Sequence, residues 1–343
     1  MRYLIGSKED FFYFVNSITK KDKIGIITHT DLDGIASTIL LEKILESKGI
    51  KIELINFVAY NKGMFDKSFE EFKNKKITKI FLTDMYADGG DLEGFEKLRK
   101  NFDCFLIDHH PIDSNFKNMK NVIKTETEDC STLVLYNLAK ECLDISSWDL
   151  LVCATMVIEW SYKKKENIKF LQEKYPGLTL DNLDFSIPMK FGREIGSSLV
   201  YYRDNIRKVY DLVKKGDFSH IKEIYEEVEG EVKKAILKYN KEAEFYPKKN
   251  LYFAHFNTKF MLVSQISTIL SKQDYNKTYI FGSDSENNIK FSARNQSGRE
   301  DVNILMKKAV SGLKNTSAGG HIMAAAATIK KEDLNRFKEN LLG

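Results

Sequence analysis

Three short apolar runs in the first third of the chain each break off into a polar cluster, and this recurrence constrains the fold more than any other feature. Ile24-Gly-Ile-Ile-Thr28 runs into His29-Thr-Asp-Leu-Asp-Gly34, Ile80-Phe-Leu-Thr83 into Asp84, and Phe105-Leu-Ile107 into Asp108-His-His110. Unbroken apolar runs of this length suit strands buried on both faces, as in a parallel sheet. Segments of helical period lie between them. Gly34–Lys48 carries Ile35, Ile39, Leu40, Ile44 and Leu45 at helical spacing and stops at Gly49. Asp66–Asn74 and Asp91–Lys100 are two further helix-like segments, and Lys51–Val58 reads as another strand. Strands alternating with helices predict a parallel sheet covered on both faces.

Beyond this region, Ser131–Leu143 and Ser147–Lys163 read as helices. A charged, amphipathic stretch runs from about Ser197 to Lys241. It reads either as a helical connector between domains or as a helical subdomain packed on the first domain. From Asn250 a new pattern begins. Leu251–His255, Lys259–Val263, Lys277–Phe281 and Asn288–Ala293 look like strands, with helices near Ser264–Lys272 and Val302–Val310. A length of 343 residues fits two domains. The expected architecture is α/β: a parallel-sheet domain over residues 1–190, a helical connector over 191–249, and a smaller mixed α/β domain over 250–343.

Charge says little by itself, because 53 basic residues against 49 acidic leave a net charge of only +4. Cys104, Cys130, Cys142 and Cys153 show no C-x-x-C spacing and read as small buried hydrophobes in a reducing compartment. The N-terminus lacks the basic and apolar regions of a signal peptide, and Leu150–Trp160 is far too short to span a bilayer. The expectation is a soluble cytoplasmic protein with no membrane partner.

In open α/β sheets, ligands gather at the carboxyl ends of the strands. Three acidic or histidine clusters at three such ends would converge in space. His29, Asp31 and Asp33 alternate, so an extended segment would place all three on one side. Carboxylates with imidazole suit manganese, with zinc or iron as competitors, and the lack of cysteine disfavours a structural zinc site. So dense a set of carboxylates repels itself without a cation. Paired divalent ions about 3.5–4 Å apart clamp the attacking and leaving oxygens of a phosphoryl displacement. Singly, Asp31-Leu-Asp33-Gly34 is an ordinary helix cap and Asp84 an ordinary strand-end residue. Their joint occurrence with Asp108-His109-His110 carries the metal reading.

The sequence resembles the DHH phosphoesterase family, named for the triplet at Asp108-His109-His110. His29 to Gly34 matches its first motif, His-x-Asp-x-Asp-Gly, and Asp84 its second, a lone Asp after a strand. The fourth motif is usually an Asp after a long helix. Here Glu159 stands at that place, with Asp149 earlier in the same predicted helix as a weaker substitute. Phe291-Ser-Ala-Arg294 and Ala318-Gly-Gly-His321 resemble the family's associated substrate domain, with Ala318 and Ala326 where the family has Gly. Gly319-Gly320 would let the backbone approach an anion closely, and Arg294 and His321 offer phosphate-binding side chains.

The resemblance implies that His29, Asp31 and Asp84 hold one ion, and that Asp33, Asp84, His109 and Glu159 hold the second, with Asp84 bridging. Two divalent ions are expected, Mn2+ ahead of Mg2+ or another divalent. His110 would contact the scissile phosphate, with Asp108 orienting a neighbouring imidazole, and Asp84, Asp108 and His110 form the catalytic set. The C-terminal domain resembles that of the RecJ-like and oligoribonuclease branches. The substrate implied is single-stranded DNA or RNA, cleaved to nucleoside monophosphates. The alternatives are short oligoribonucleotides or cyclic dinucleotides, or a non-catalytic scaffold in a replication complex. Replication or repair proteins such as a helicase are the partners this implies. Tyr201-Tyr202-Arg203, Arg207 and Tyr210 lie in a segment outside the resemblance. At helical spacing, Arg203, Arg207 and Tyr210 would share a face that either guides a strand or packs on the core.

Overall fold

The computed structural model describes residues 1–113, 116 and 119–343. The chain divides into two compact units, Met1–Lys222 and Glu223–Gly343.

The first unit is built on strands β1 (Tyr3–Ile5), β2 (Ile24–His29), β3 (Ile52–Val58), β4 (Lys79–Thr83), β5 (Asp103–Asp108) and β6 (Val122–Thr125). They lie in the order β1-β6-β5-β4-β2-β3. β2 to β6 run parallel, and β1 closes one edge antiparallel to β6. The helices between and after them are α1 (Lys8–Asn16), α2 (Leu32–Ser47), α3 (Asp66–Lys75), α4 (Ala87–Gly90) and α5 (Leu92–Asn101). α6 (Ser131–Lys140), α7 (Asp149–Ile158), α8 (Lys165–Lys174), α9 (Ile187–Tyr201) and α10 (Ile206–Lys215) follow. The apolar runs of β2, β4 and β5 are buried throughout, because helices cover both faces of the sheet. α2 is buried almost all round, from Leu32 to Leu41, and packs against β2, α6 and α7. Its apolar residues on every side are the sequence counterpart of that position.

α11 (Phe218–Glu242) starts in the first unit and lies mostly in the second. The second unit holds β7 (Glu244–Tyr246), β8 (Leu251–His255), β9 (Thr278–Ser285), β10 (Asn288–Arg294), β11 (Ser317–His321) and β12 (Ala324–Lys330). Their order is β11-β12-β10-β9-β8-β7, with only β8 and β9 parallel. α12 (Val263–Ser271), α13 (Val302–Ala309) and α14 (Leu334–Leu342) complete it. Phe253, Ile280, Phe291, Met306, Ile329 and Phe337 belong to its core.

The α/β class, with a parallel N-terminal sheet and a mixed C-terminal unit, is the one expected from the sequence. Several local expectations need correction. Lys259–Val263 is not a strand: Glu231 accepts the Lys259 amide at 2.9 Å and Thr258 bonds to the Phe260 carbonyl at 2.5 Å, so a turn takes the place of a ladder. The stretch 197–241, read as either a connector or a packed subdomain, falls in three helices. α9 packs on α7 and α10 on α2, while Gly216 turns the chain left-handed after α10. The helix expected over Ser147–Lys163 ends at Ile158, where Trp160 adopts φ +60°. Cys142 is exposed, in the turn after α6, while the other three cysteines are buried. β1, β6, β7, β11, β12, α1, α4, α8 and α14 were not foreseen.

Candidate metal centre

Register brings the three clusters to one level. Thr28 pairs with Thr83 and Thr83 with Ile107 across β2, β4 and β5, so His29, Asp84 and Asp108 all emerge at the same edge. The alternating first motif is not a single extended segment. His29 closes β2, Asp31 caps α2 by accepting the Gly34 amide at 2.9 Å, and Asp33 sits in the first helical turn. The strand passes into a helix within two residues because Asp31 satisfies an orphan amide there. Gly34 is required by the same turn: a Cβ would stand 2.2 Å from the His29 carbonyl oxygen.

Asp84 lies at the centre. Its φ is +56°, a conformation that a non-glycine residue holds at a cost of about 1–3 kcal/mol and that concentrates at functional sites. The peptide nonetheless continues the sheet, with the Asp84 amide donating to the Ile107 carbonyl at 2.9 Å. Asp84 Oδ2 is 3.7 Å from His29 Nδ1, and Oδ1 is 3.5 Å from His109 Nε2 and 3.9 Å from His110 Nδ1. Two groups with ligand atoms all within 4.8 Å share this residue: His29, Asp31 and Asp84, and Asp84, His109 and His110. His29 Nδ1 is 2.6 Å from Asp31 Oδ2. His109 is fixed by Nδ1 at 3.2 Å from the Thr127 carbonyl, leaving Nε2 toward Asp84 and, at 3.7 Å, Asp33. Asp33 is fully buried and gripped by the amides of Ser131 and Thr132, both at 2.8 Å, at the start of α6.

The electrostatics are those of a cation site. Burial, then the charges of Asp33 and Asp31, raise the Asp84 carboxyl well above its ordinary value. Burial, then Asp33, Asp31 and Asp84, push Glu159 up to about 8. Glu159, at the C-terminal end of α7, thus lies within the electrostatic influence of the cluster. Asp149 opens the same helix, and its carboxylate is taken by Tyr136 at 2.5 Å and Lys174 at 2.7 Å. Burial would lower both imidazoles. The Asp31 hydrogen bond and the nearby Asp84 carboxylate raise His29 to about 10, and the carboxylates of Asp84 and Asp33 raise His109 to about 10. Asp84 Oδ2 is buried with no hydrogen-bond partner among the described residues. Hard oxygens and imidazole nitrogens, mutually repelling acids and an orphaned carboxylate oxygen fit divalent ions of the manganese or magnesium kind.

Protons occupy this cluster where metal would bind, which fixes the sign of the pH dependence. The raised imidazoles stabilise the metal-free fold fully below pH 6.5, and that contribution is lost as pH rises through about 10. Metal must displace those protons, so manganese affinity will climb across the same window. Binding at pH 7.5 will release more than two protons per chain, from His29, His109 and the raised carboxyls of Glu159 and Asp84, read by calorimetry in buffers of different ionisation heat. Glu159→Gln will weaken affinity by a factor of about 10–100. Binding independent of pH would remove His29 and His109 from the ligand set.

Sequence reasoning missed three neighbours. Tyr60 stacks on His29 with ring centroids 4.1 Å apart, and its hydroxyl donates to the Asp84 carbonyl at 2.9 Å and lies 3.3 Å from His110 Nε2. Its signal was an aromatic two residues past the end of β3, at the same sheet edge as the clusters. Lys124 is fully buried, 2.6 Å from Asp88 Oδ1 and 2.8 Å from Asp108 Oδ2. Asp108 Oδ1 in turn holds His110 Nδ1 at 2.8 Å. Burial opposes ionisation of Asp108, yet the His110 bond and the Lys124 charge hold it well below the ordinary range.

The C-terminal candidates lie in the second unit. Arg294 ends β10 and spends its guanidinium on Ser264 Oγ at 2.9 Å, Ser292 Oγ and the Ala293 carbonyl at 3.0 Å, and Thr268 Oγ1 at 3.2 Å. Gly319, Gly320 and His321 are exposed on β11, whose hairpin partner is β12. Gly320 has φ +148°, and a Cβ there would meet the Ala324 carbonyl oxygen at 2.3 Å.

Residues 23–180 match the N-terminal domain of the DHH family, and residues 248–342 match the DHHA1 domain. No curated protein matches the chain by sequence. Solved structures share the fold. An exonuclease RecJ bound to manganese superposes with a TM-score of 0.72 at 12% identity, over 99% of this chain and 95% of that one. RecJ from Thermus thermophilus in complex with Mn2+ gives 0.69 at 12% identity, over 98% of this chain and 54% of that one. The chain thus spans about half the length of the Thermus protein. CDC45 from Entamoeba histolytica gives 0.60 at 12% identity, over 98% of each chain.

Proposed function

Because the chain belongs to the DHH family of phosphoesterases, we propose that it is a manganese-dependent phosphodiesterase, a RecJ-like exonuclease that hydrolyses single-stranded DNA or RNA to nucleoside monophosphates. The observation that supports this best is Asp84, held left-handed at a strand end and shared by two groups of possible ligands. His29, Asp31 and Asp84 would hold one ion, and Asp33, Asp84, His109 and Glu159 the second. Such ions, when bound, acidify water and offset the charge of phosphoryl oxygens. His110 has its Nδ1 engaged by Asp108, so Nε2 is the nitrogen left for a scissile phosphate, within reach of the Tyr60 hydroxyl. There it stabilises charge as it develops. We assign catalysis to residues 1–190, with 191–249 connecting to the substrate domain of residues 250–343, where Arg294, Gly319, Gly320 and His321 hold substrate. Arg294 would act from a socket of hydroxyls that already fixes its plane. The setting is the cytoplasm, with single-stranded nucleic acid and a replication or repair protein such as a helicase as partners.

Labelled long single strands, duplexes, dinucleotides and cyclic dinucleotides, each with manganese, form the deciding panel. Release of mononucleotides from long single strands is the expected result. Activity confined to dinucleotides or cyclic dinucleotides would reassign the chain to the short-substrate phosphodiesterases. No hydrolysis and no metal binding would leave a scaffold.

A further inference from the structure

A cavity of about 690 Å3 adjoins segments that carry residues of the metal cluster and has no part in the roles assigned above. It lies between β3, α3 and the turn joining α9 to α10, wholly within the first unit. Thr30, the residue after His29, lines it, and so do Ala59 and Asn61 on either side of Tyr60. Its volume falls within the range of about 300–1,000 Å3 typical of small-molecule sites.

Three cations reach this cavity from two sides. Lys67 projects from α3, and Arg203 and Arg207 come from the turn and the first turn of α10. The arginines meet there by a route the sequence does not suggest. Arg203 and Tyr210 do not share a helical face: Arg203 lies outside α10, while Tyr210 turns into the core and bonds Glu42. Arg207 is fixed from behind, with Nε donating to Asp211 at 3.2 Å and the guanidinium 5.0 Å from the Tyr210 ring centre. Its side chain is still 51% exposed, and that of Arg203 42%. Two acids also line the space. Glu71 accepts from Asn56 at 2.8 Å and lies 3.8 Å from Lys67, and Asp204 is 3.7 Å from Arg203. Exposed pairs of this length contribute little, so a phosphate can replace either carboxylate as partner. The guanidinium forks match phosphate oxygens, and Leu54, Val58 and Met64 give the lining an apolar wall beside its polar groups.

We propose that this cavity is a subsite for the nucleotide adjoining the scissile phosphodiester, its phosphate held by Arg203, Arg207 and Lys67 and its base against the apolar wall. The inference rests on the phosphodiesterase reading for its orientation, and its test separates the two. The full-length double variant Arg203→Ala/Arg207→Ala is compared with the wild type on a labelled ten-nucleotide single strand and on bis(p-nitrophenyl) phosphate, which occupies the metal centre alone. Loss of kcat/KM on the strand, carried mainly by KM, will exceed loss on the small diester by a factor of about 10 or more. Direct anisotropy binding of the same strand, with no turnover, will weaken equally. The slope of log affinity against log salt will flatten by about 0.7 for each phosphate that is no longer neutralised. Arg→Lys replacements will restore part of the binding. Equal loss on both substrates, or strand binding unaltered in the double variant, overturns the subsite. A wild type that binds the strand through these arginines yet cleaves neither substrate overturns the phosphodiesterase reading and leaves the subsite standing.

Discussion

Asp84→Asn will abolish phosphodiester hydrolysis, with a loss of roughly a thousandfold or more, as when one member of a catalytic unit is removed. The same change will make the metal-free protein more stable only above about pH 10, where His29 and His109 are neutral and no longer offset the Asp84 charge. Both outcomes follow from one carboxylate. In the folded chain its own burial, then the charges of Asp33 and Asp31, raise its pKa. A raised pKa means stability present below the ordinary value of 3.8 and lost as pH rises through the folded value, and once His29 and His109 lose their protons near pH 10 nothing offsets the charge at Asp84. Asparagine keeps the shape, tolerates the left-handed φ of +56° and removes the charge. Above that pH the metal-free melting temperature of the variant will exceed that of the wild type, and below it the loss of contact with the protonated imidazoles will oppose the gain. Manganese, which stabilises the wild type, will add little to the variant. Scanning calorimetry with and without manganese reads both signs in one experiment. A variant with near-normal turnover and two bound ions per chain would rule out a bridging role.

That pair of opposed effects explains why the site was legible in the sequence while its support was not. His29, Asp31, Asp33, Asp84 and Asp108-His109-His110 stand at the ends of strands whose apolar runs are unambiguous, and parallel register does the rest. The second unit was legible for the same reason at β8, β9 and β10, where strands are long and apolar. β6 is four residues, and β1 pairs with it in an irregular register, so neither leaves a periodic trace. Lys124 sits in that short strand as the one charge between apolar neighbours, and nothing local says which acids it meets. Asp88, in α4, and Asp108, at the end of β5, reach it from 36 and 16 positions away, through tertiary structure alone. The break at Tyr202–Asn205 was hidden differently. The sequence there keeps helical amphipathicity on both sides, and only the packing of α9 on α7 and α10 on α2 sets where the chain must turn. Tertiary contact overrides local period at that point.

Lys124→Met will cost both stability and turnover, and the pH dependence will separate the two. The ammonium is fully buried between Asp88 at 2.6 Å and Asp108 at 2.8 Å, with the carbonyls of Pro111 and His110 at 3.2 and 3.3 Å. Removing one partner of a buried ion pair leaves uncompensated charge and typically costs about 3–5 kcal/mol. The contribution of Asp108 has a definite sign. Its folded pKa is depressed, so its stabilisation is present above pH 3.8 and lost as pH falls below that value. The melting temperatures of variant and wild type will therefore lie far apart at pH 7.5 and converge as pH drops below about 4. Turnover will fall by a different route. Asp108 holds His110 by Nδ1, and without Lys124 the carboxyl ionises at higher pH and its grip on the imidazole weakens. The acidic limb of the pH–rate profile on a small diester will move to higher pH, with kcat reduced and metal stoichiometry retained, because the ammonium touches Asp108 and no group of the His29 cluster. A purely structural lysine would lower the melting temperature and leave the position of that limb where it was.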